Sequence, residues 1–282
     1  MTEATTPETA PALTTSIVMV LDRSGSMSSC RDATIKSVNS YLKEAKGDAN
    51  LKDASFDLMI FDSQSIDTIR SGTIKAIEDI TREDFMPRGG TPLLDAIGRG
   101  VDSLDKKAAD GKAILVVVTD GEENSSRKHN YESIKALIST RQDKGWLVIF
   151  LGAGLDSAKQ GLAMGISSAN VANIGLDEQS LAATASFMSV SSAAYGATRS
   201  MAEAKGYAGS EKISRSLRMS MGDKSGGAGI VDNVDAVIAG MDKTLVIDDP
   251  WAKKIPPQVS RSKTPPKDVD AWADTPADSW GA

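Results

Sequence analysis

The chain has 282 residues, 40% of them hydrophobic, and a formal net charge of −6. That length leaves room for one generous domain or two small ones, the apolar fraction is that of a folded chain rather than one disordered throughout, and the acidic balance gives no electrostatic reason to expect nucleic-acid binding. A single cysteine, Cys30, and a single histidine, His129, exclude an intrachain disulfide and the common zinc sites, so any bound metal has to be held by oxygen.

Residues 1–14 are rich in Thr, Pro, Ala and Glu and read as a disordered lead-in. They lack a basic stretch followed by an apolar one, so no secretory signal is expected. A first strand is expected over Ser16–Leu21, ending at Asp22. A helix over Ala33–Lys46 follows, with Ile35, Val38, Tyr41, Leu42 and Ala45 on one side. Phe56–Phe61 reads as a second strand ending at Asp62, and a weaker alternating run, Ser65–Arg70, comes after a short turn. Leu93–Leu104 reads as a helix with Pro92 in its first turn. Ile114–Thr119 is a strand ending at Asp120-Gly121, Tyr131–Arg141 a helix, and Leu147–Leu151 a strand. The longest apolar runs, Ala113–Val118 and Trp146–Leu151, are too short to span a bilayer, so no membrane partner is expected.

A short helix over Ser157–Met164, a short strand over Val171–Ile174 and one long helix over Glu178–Ala204 complete the pattern. The stripe Leu181, Ala185, Met188, Ser192 and Tyr195 is expected to pack on the sheet rather than to form an oligomer seam. From about Lys205 the texture changes. Tyr207–Ala228 is Gly/Ser-rich and reads as a flexible loop, Ile230–Met241 has helical spacing, and Thr244–Ile247 reads as a strand. Residues 250–282 form a Pro-rich tail, and within its polar, acidic end Trp272 and Trp280 are spaced as anchors for a docking partner, a reading set beside an inert tail. Continuous Val/Ile/Leu runs suit strands covered on both faces. Their alternation with helices argues for a doubly wound α/β fold.

The informative residues sit where strands end: Asp22-Arg23-Ser24-Gly25-Ser26, then Gly89-Gly90-Thr91-Pro92, then Thr119-Asp120-Gly121. In open α/β sheets ligands bind beyond the carboxyl ends of the strands, where the strand order reverses. If the strands ending at Asp22 and Asp120 are neighbours there, the two carboxylates emerge side by side. Ser24, Ser26 and Thr91 then add hydroxyls. Hard oxygen ligands of this kind suit Mg²⁺, Mn²⁺ or Ca²⁺. With water and hydroxyls in most positions, such an ion can accept an outside anion, such as a partner's Asp or Glu.

These residues resemble the von Willebrand factor A domain with its metal-ion-dependent adhesion site, whose pattern is Asp-x-Ser-x-Ser, a later Thr and an Asp after a central strand. The resemblance covers about Thr15 to Ala204. It is nearest to intracellular bacterial and phage proteins carrying LDRSGSM, PRGGTPLLDAIG, VVVTDGEENSS and GW-x-VIFLGA, strings that stand here at 21–27, 87–98, 116–126 and 145–153. It implies a six-stranded, mostly parallel, Rossmann-like sheet with helices on both faces and one antiparallel edge strand, supplied by Ser65–Arg70. It also implies that Ser24, Ser26 and Thr91 touch the metal directly while Asp22 and Asp120 often act through water. The domain then spans 15–205, with an unmatched extension over 206–249 and the tail over 250–282.

The expected function is divalent-cation-dependent binding of an acidic group on a protein partner, in the cytoplasm, with a virion association if the chain is phage-encoded. A subunit assisting an AAA+ ATPase in remodelling or metal handling, a phage structural or assembly component, and a metal-dependent hydrolase at Asp22/Asp120 stand as alternatives. Enzyme motifs are not met: position 24 is Ser where a phosphoaspartyl enzyme has a second Asp, there is no P-loop string, and Ser157 replaces the third glycine after Gly152-x-Gly154. Glu122 and Glu123 read as solvated loop charges, His129 as a loop residue without a catalytic role, and Cys30 as a packed, inert thiol.

Overall fold

The computed structural model describes residues 13–109, 111–153 and 155–210. The strands are β1 (Thr15–Asp22), β2 (Ser55–Phe61), β3 (Ile66–Thr73), β4 (Lys112–Thr119), β5 (Leu147–Ala153) and β6 (Val171–Ile174). The helices are α1 (Arg31–Gly47), α2 (Leu93–Ala108), α3 (Tyr131–Asp143), α4 (Leu155–Ala163), α5 (Glu178–Gly196) and α6 (Met201–Ala208), with a 3₁₀ turn over Gly25–Cys30 leading into α1. All six strands join one sheet in the order β3-β2-β1-β4-β5-β6. β3 is antiparallel to β2 and every other pairing is parallel.

The continuous apolar runs serve two faces at once. Ile17, Met19 and Leu21 of β1, with Ile114, Val116 and Val118 of β4, face a core that includes Val38, Tyr41 and Leu42 of α1 and Leu181, Ala185, Met188 and Tyr195 of α5. The alternate residues Val18, Val20, Leu115 and Val117 face Leu94, Ile97, Val101 and Leu104 of α2 and Ile134 and Ile138 of α3. Each such side chain withdrawn from water contributes about 1.5–3 kcal/mol. The α5 stripe packs inward, as its spacing implies.

β3 runs three residues beyond the Arg70 end expected from sequence, because its pairing with β2 continues past a register shift between Leu58 and Met59. The more substantial correction concerns the expected helix Glu178–Ala204, which is two helices. The buried ammonium of Lys112 donates to the carbonyls of Gly196 and of Thr198 (2.9 Å), ending α5, and Thr198 Oγ1 donates to Tyr195 O at 2.7 Å. Ser200 then caps α6, its side chain accepting from Glu203 N. Tyr207 and Ala208, expected in a loop, belong to α6. The Tyr207 ring lies 6.4 Å from that of Tyr195, and Asn170 Nδ2 donates to Ala208 O at 2.9 Å.

Among the described residues no helix is long and apolar enough to cross a membrane. The lead-in up to residue 12, the loop beyond 210, the helix expected at 230–241, the strand at 244–247 and the tail with Trp272 and Trp280 lie outside the described residues.

Candidate functional site

β1 is flanked by β2 on one side and β4 on the other, so the chain order reverses at β1. Leu21 pairs with Val118, which brings the ends of β1 and β4 level. This is the position at which an open α/β sheet leaves a crevice for a ligand. Three loops meet there. The first begins at Asp22, the last residue of β1, and carries Ser24 and Ser26. The second, before α2, carries Thr91, and the third, after β4, carries Asp120.

All five residues singled out in the sequence come together. Ser24 Oγ and Ser26 Oγ are 3.0 Å apart, and Ser26 Oγ donates to Asp120 Oδ1 at 2.7 Å. Asp22 is fully buried and held from both sides, accepting from Ser24 N at Oδ1 and from Thr119 Oγ1 at Oδ2, each at 2.6 Å. A Cβ on Gly121 would lie 3.1 Å from Thr91 Oγ1 and 3.7 Å from Asp22 Oδ2, so glycine there lets the hydroxyl and the carboxylate close in on the same point. Gly89, at φ +66°, lets its loop turn beside Ser63, whose Oγ would be 2.4 Å from a side chain at 89.

The electrostatics are those of a carboxylate pair short of positive charge. Burial, with help from the neighbouring Asp120, outweighs the hydrogen bonds of Thr119 and Ser24 and pushes the Asp22 carboxyl up to about 6. Burial also raises Asp120, against the hydrogen bond from Ser26. Arg23, between two of the site residues, turns away: its guanidinium meets Asp62 at 2.6 Å and Asp67 at 3.3 Å. Among the described residues no three of His, Cys, Asp and Glu converge as metal ligands. A cation at Asp22 and Asp120 would therefore draw on hydroxyl and water oxygens too. Ser24, Ser26 and Thr91 supply those hydroxyls, and the donor set fits a hard divalent ion.

The sequence profile of the von Willebrand factor type A domain matches residues 16–185. The chain belongs to the von Willebrand factor type A family. No curated protein sequence matches it. Among solved structures, the pilus adhesin SpaC from Lactobacillus rhamnosus GG, in its open conformation, superposes with a TM-score of 0.52 at 14% identity, over 64% of this chain and 30% of that one. Proximal thread matrix protein 1 from the mussel byssus gives a TM-score of 0.46 at 16% identity, over 63% and 48% of the two chains. Manganese-loaded TRAP protein from Plasmodium vivax gives 0.39 at 15% identity, over 53% and 62%. The likeness to SpaC shows the fold alone, and the chain spans under a third of that structure's length.

Other residues around the site of this von Willebrand factor type A domain hold positions that the sequence did not disclose. Glu122 is exposed, but Glu123, expected to be a solvated charge, is not free. Its carboxylate accepts from the N–H groups of Leu94, Ser125 and Ser126 and from Ser126 Oγ, at 2.7–2.9 Å. The His129 ring lies over Gly98 of α2, where a Cβ would meet Nε2 at 2.4 Å, and its Nδ1 is 3.4 Å from Ser133 Oγ. Cys30 is buried, and burial raises its thiol. Behind the first two loops, Asp62 also receives Arg88 Nε at 3.0 Å, making one buried carboxylate the meeting point of two guanidiniums. Thr119, the polar residue that closes the apolar run Ala113–Val118, was the visible sign of a residue needed to orient Asp22.

Proposed function

We propose that this von Willebrand factor type A domain is a divalent-cation-dependent protein-binding module. In this reading Asp22, Ser24, Ser26, Thr91 and Asp120 hold Mg²⁺, Mn²⁺ or Ca²⁺, and an acidic side chain of a protein partner completes the site. The observation that carries it is a fully buried Asp22 close to Asp120, with the hydroxyls of Ser24 and Ser26 in a hydrogen-bonded line to Asp120 and the guanidinium of Arg23, adjacent to Asp22 in sequence, committed to Asp62. When bound, the cation supplies a positive centre that an outside carboxylate can join.

The chain's own residues prepare that event. Thr119 and the Ser24 amide fix the two oxygens of Asp22, and Ser26 orients Asp120. The buried setting strengthens any carboxylate–cation attraction relative to water. A hydrolase would need an activated nucleophile, and His129 is instead engaged over Gly98 and beside Ser133. The ATPase-linked and phage-assembly alternatives draw no specific support from the geometry.

The reading is tested by partner capture on the immobilised protein in Mg²⁺ and in chelator, with wild type beside an Asp22→Ala/Ser24→Ala variant. Proteins retained by wild type in Mg²⁺ should be lost in chelator and lost with the variant. Equal capture by the variant, or capture indifferent to chelator, refutes the mechanism.

A further inference from the structure

We propose that Asn124 and Glu123 are positioning residues that lock the Thr91 loop to the Asp120 loop, so that Thr91 and Asp120 meet a cation as one preformed unit. This inference rests on the cation-site reading above.

It starts from the backbone of the Thr91 loop. Arg88 N donates to Arg23 O at 2.9 Å, Gly89 O accepts from Gly25 N at 3.0 Å, and Gly90 N donates to Ser63 Oγ at 2.9 Å. Thr91 is then gripped twice by one residue, its N–H donating to Asn124 Oδ1 at 2.8 Å and its carbonyl accepting from Asn124 N at 3.1 Å. Every residue from 88 to 91 is thus tied to a neighbouring segment. The last tie joins the loop bearing the candidate hydroxyl to the loop bearing the candidate carboxylate.

The same two segments exchange further bonds. α2 begins directly after Pro92 and has no side-chain cap of its own, so its first amides need outside acceptors. Leu94 N donates to Glu123 Oε2 at 2.9 Å and Asp95 N to Ser126 Oγ at 3.0 Å. In return the Asp95 carboxylate accepts from the amides of Arg127, Lys128 and His129 at 2.8–2.9 Å. Glu123 N donates to Gln160 Oε1 at 2.8 Å, anchoring the clasp to α4. The loop after β4 therefore serves as the N-terminal cap of α2, and α2 organises that loop in turn.

The chemistry explains the residue types. Glu123 meets only donors: three N–H groups and the Ser126 hydroxyl. A carboxylate accepts at every lone pair, whereas the amide of a Gln would point two N–H groups at other donors. At position 124 the essential atom is the Oδ1 acceptor, which Asp retains and Ala lacks. Asn124 is exposed, so its truncation opens no cavity. Residues that orient metal ligands in this way typically carry about a tenfold to hundredfold effect on metal affinity.

The test measures amide exchange in the metal-free, full-length protein and Mn²⁺ affinity by calorimetry, for wild type, Asn124→Ala, Asn124→Asp and Glu123→Gln. In wild type the amides of Thr91, Leu94 and Asp95 should exchange slowly before any metal is added. Asn124→Ala should speed exchange at Thr91 and weaken Mn²⁺ binding about tenfold or more, while amides in β1 and β4 keep their protection. Asn124→Asp should restore the Thr91 protection, and Glu123→Gln should release Leu94. Asn124→Ala with Mn²⁺ affinity within about twofold of wild type overturns the positioning role and leaves the cation reading intact. Wild type that fails to bind Mn²⁺ overturns both. Should Asn124→Ala unfold, Glu123→Gln, which keeps the length of the side chain, carries the test: faster exchange at Leu94 with weaker Mn²⁺ binding supports the lock, and unchanged Mn²⁺ affinity overturns it.

Discussion

Replacing Asp62 with Asn isolates the charge network that braces the first two loops from behind. The wild-type carboxylate is fully buried and receives Arg23 Nε at 2.7 Å, Arg23 Nη2 at 2.6 Å and Arg88 Nε at 3.0 Å, together with the amides of Gln64 and Ser65 at 2.7 and 3.1 Å. The side-chain amide of the variant can still accept from the two backbone amides, but its NH₂ group then faces two guanidiniums. The Arg23 side chain is only 9% exposed and cannot turn to water, whereas Arg88 at 41% can. Breaking one side of a buried ion pair costs about 3–5 kcal/mol. Arg23 keeps Ser65 at 2.9 Å and Asp67 at 3.3 Å, which places the loss near the lower end, about 3 kcal/mol. For a domain of this size that lowers the melting temperature by about 6–12 °C.

The pH dependence has a definite sign. Burial alone would raise the Asp62 carboxyl, but the Gln64 amide and the Arg88 and Arg23 guanidiniums outweigh it and hold it below its ordinary range. Its stabilisation is therefore present above the unfolded value of 3.8 and fades as pH falls through the lower folded value. Urea unfolding at neutral pH measures the difference directly, and the gap between wild type and Asp62→Asn should close in acid below the ordinary carboxylate range. A loss under about 1 kcal/mol at neutral pH, or a gap unchanged by acid, refutes the reasoning. The exposed Lys36–Glu178 pair is the internal control, since its removal should change stability by no more than about 1 kcal/mol.

Two further outcomes follow from the packing. Tyr195→Phe removes a buried hydroxyl that donates to Gly145 O at 2.7 Å, and thermal unfolding should show a loss of about 1–2 kcal/mol without loss of secondary structure. Cys30, buried and with its thiol raised by burial, should react with a thiol reagent only as the protein unfolds, so that labelling in a urea series tracks the unfolding curve.

The sheet was readable because its central strands are covered on both faces and so spell continuous apolar runs. β1, β2 and β4 carry almost no polar residue except at their ends, apart from Asp57, which is buried against Lys107 and Ser103. The edge strand β3 was read three residues short because its far end, Ser71-Gly72-Thr73, is polar and exposed. The Ala/Ser-rich stretch after Glu178 looks helical throughout. Its break depends on Lys112, more than eighty residues earlier in the chain, whose ammonium reaches the carbonyls that end α5.

The five candidate ligands were legible because each stands at a strand end or helix start with a distinctive residue type. Glu123 stood in the same string and was read as a solvated charge, while Asn124 beside it was passed over. Their partners, Leu94 and Thr91, belong to a segment about thirty residues upstream, and only the fold places the two side by side. Arg23 posed the same difficulty. Beside Asp22 in sequence it reads as a neighbour of the site, yet its guanidinium is spent on Asp62.

The central claim is that Asp22, Ser24, Ser26, Thr91 and Asp120 hold a divalent cation. Calorimetric titration of chelator-stripped protein with Mn²⁺, wild type against Asp120→Ala, tests it most directly. The account predicts a single saturable ion in wild type, and none in Asp120→Ala, whose unfolding curve without metal should show a native fold. Wild type that takes up no Mn²⁺, or a folded Asp120→Ala variant that binds it equally well, would contradict the account.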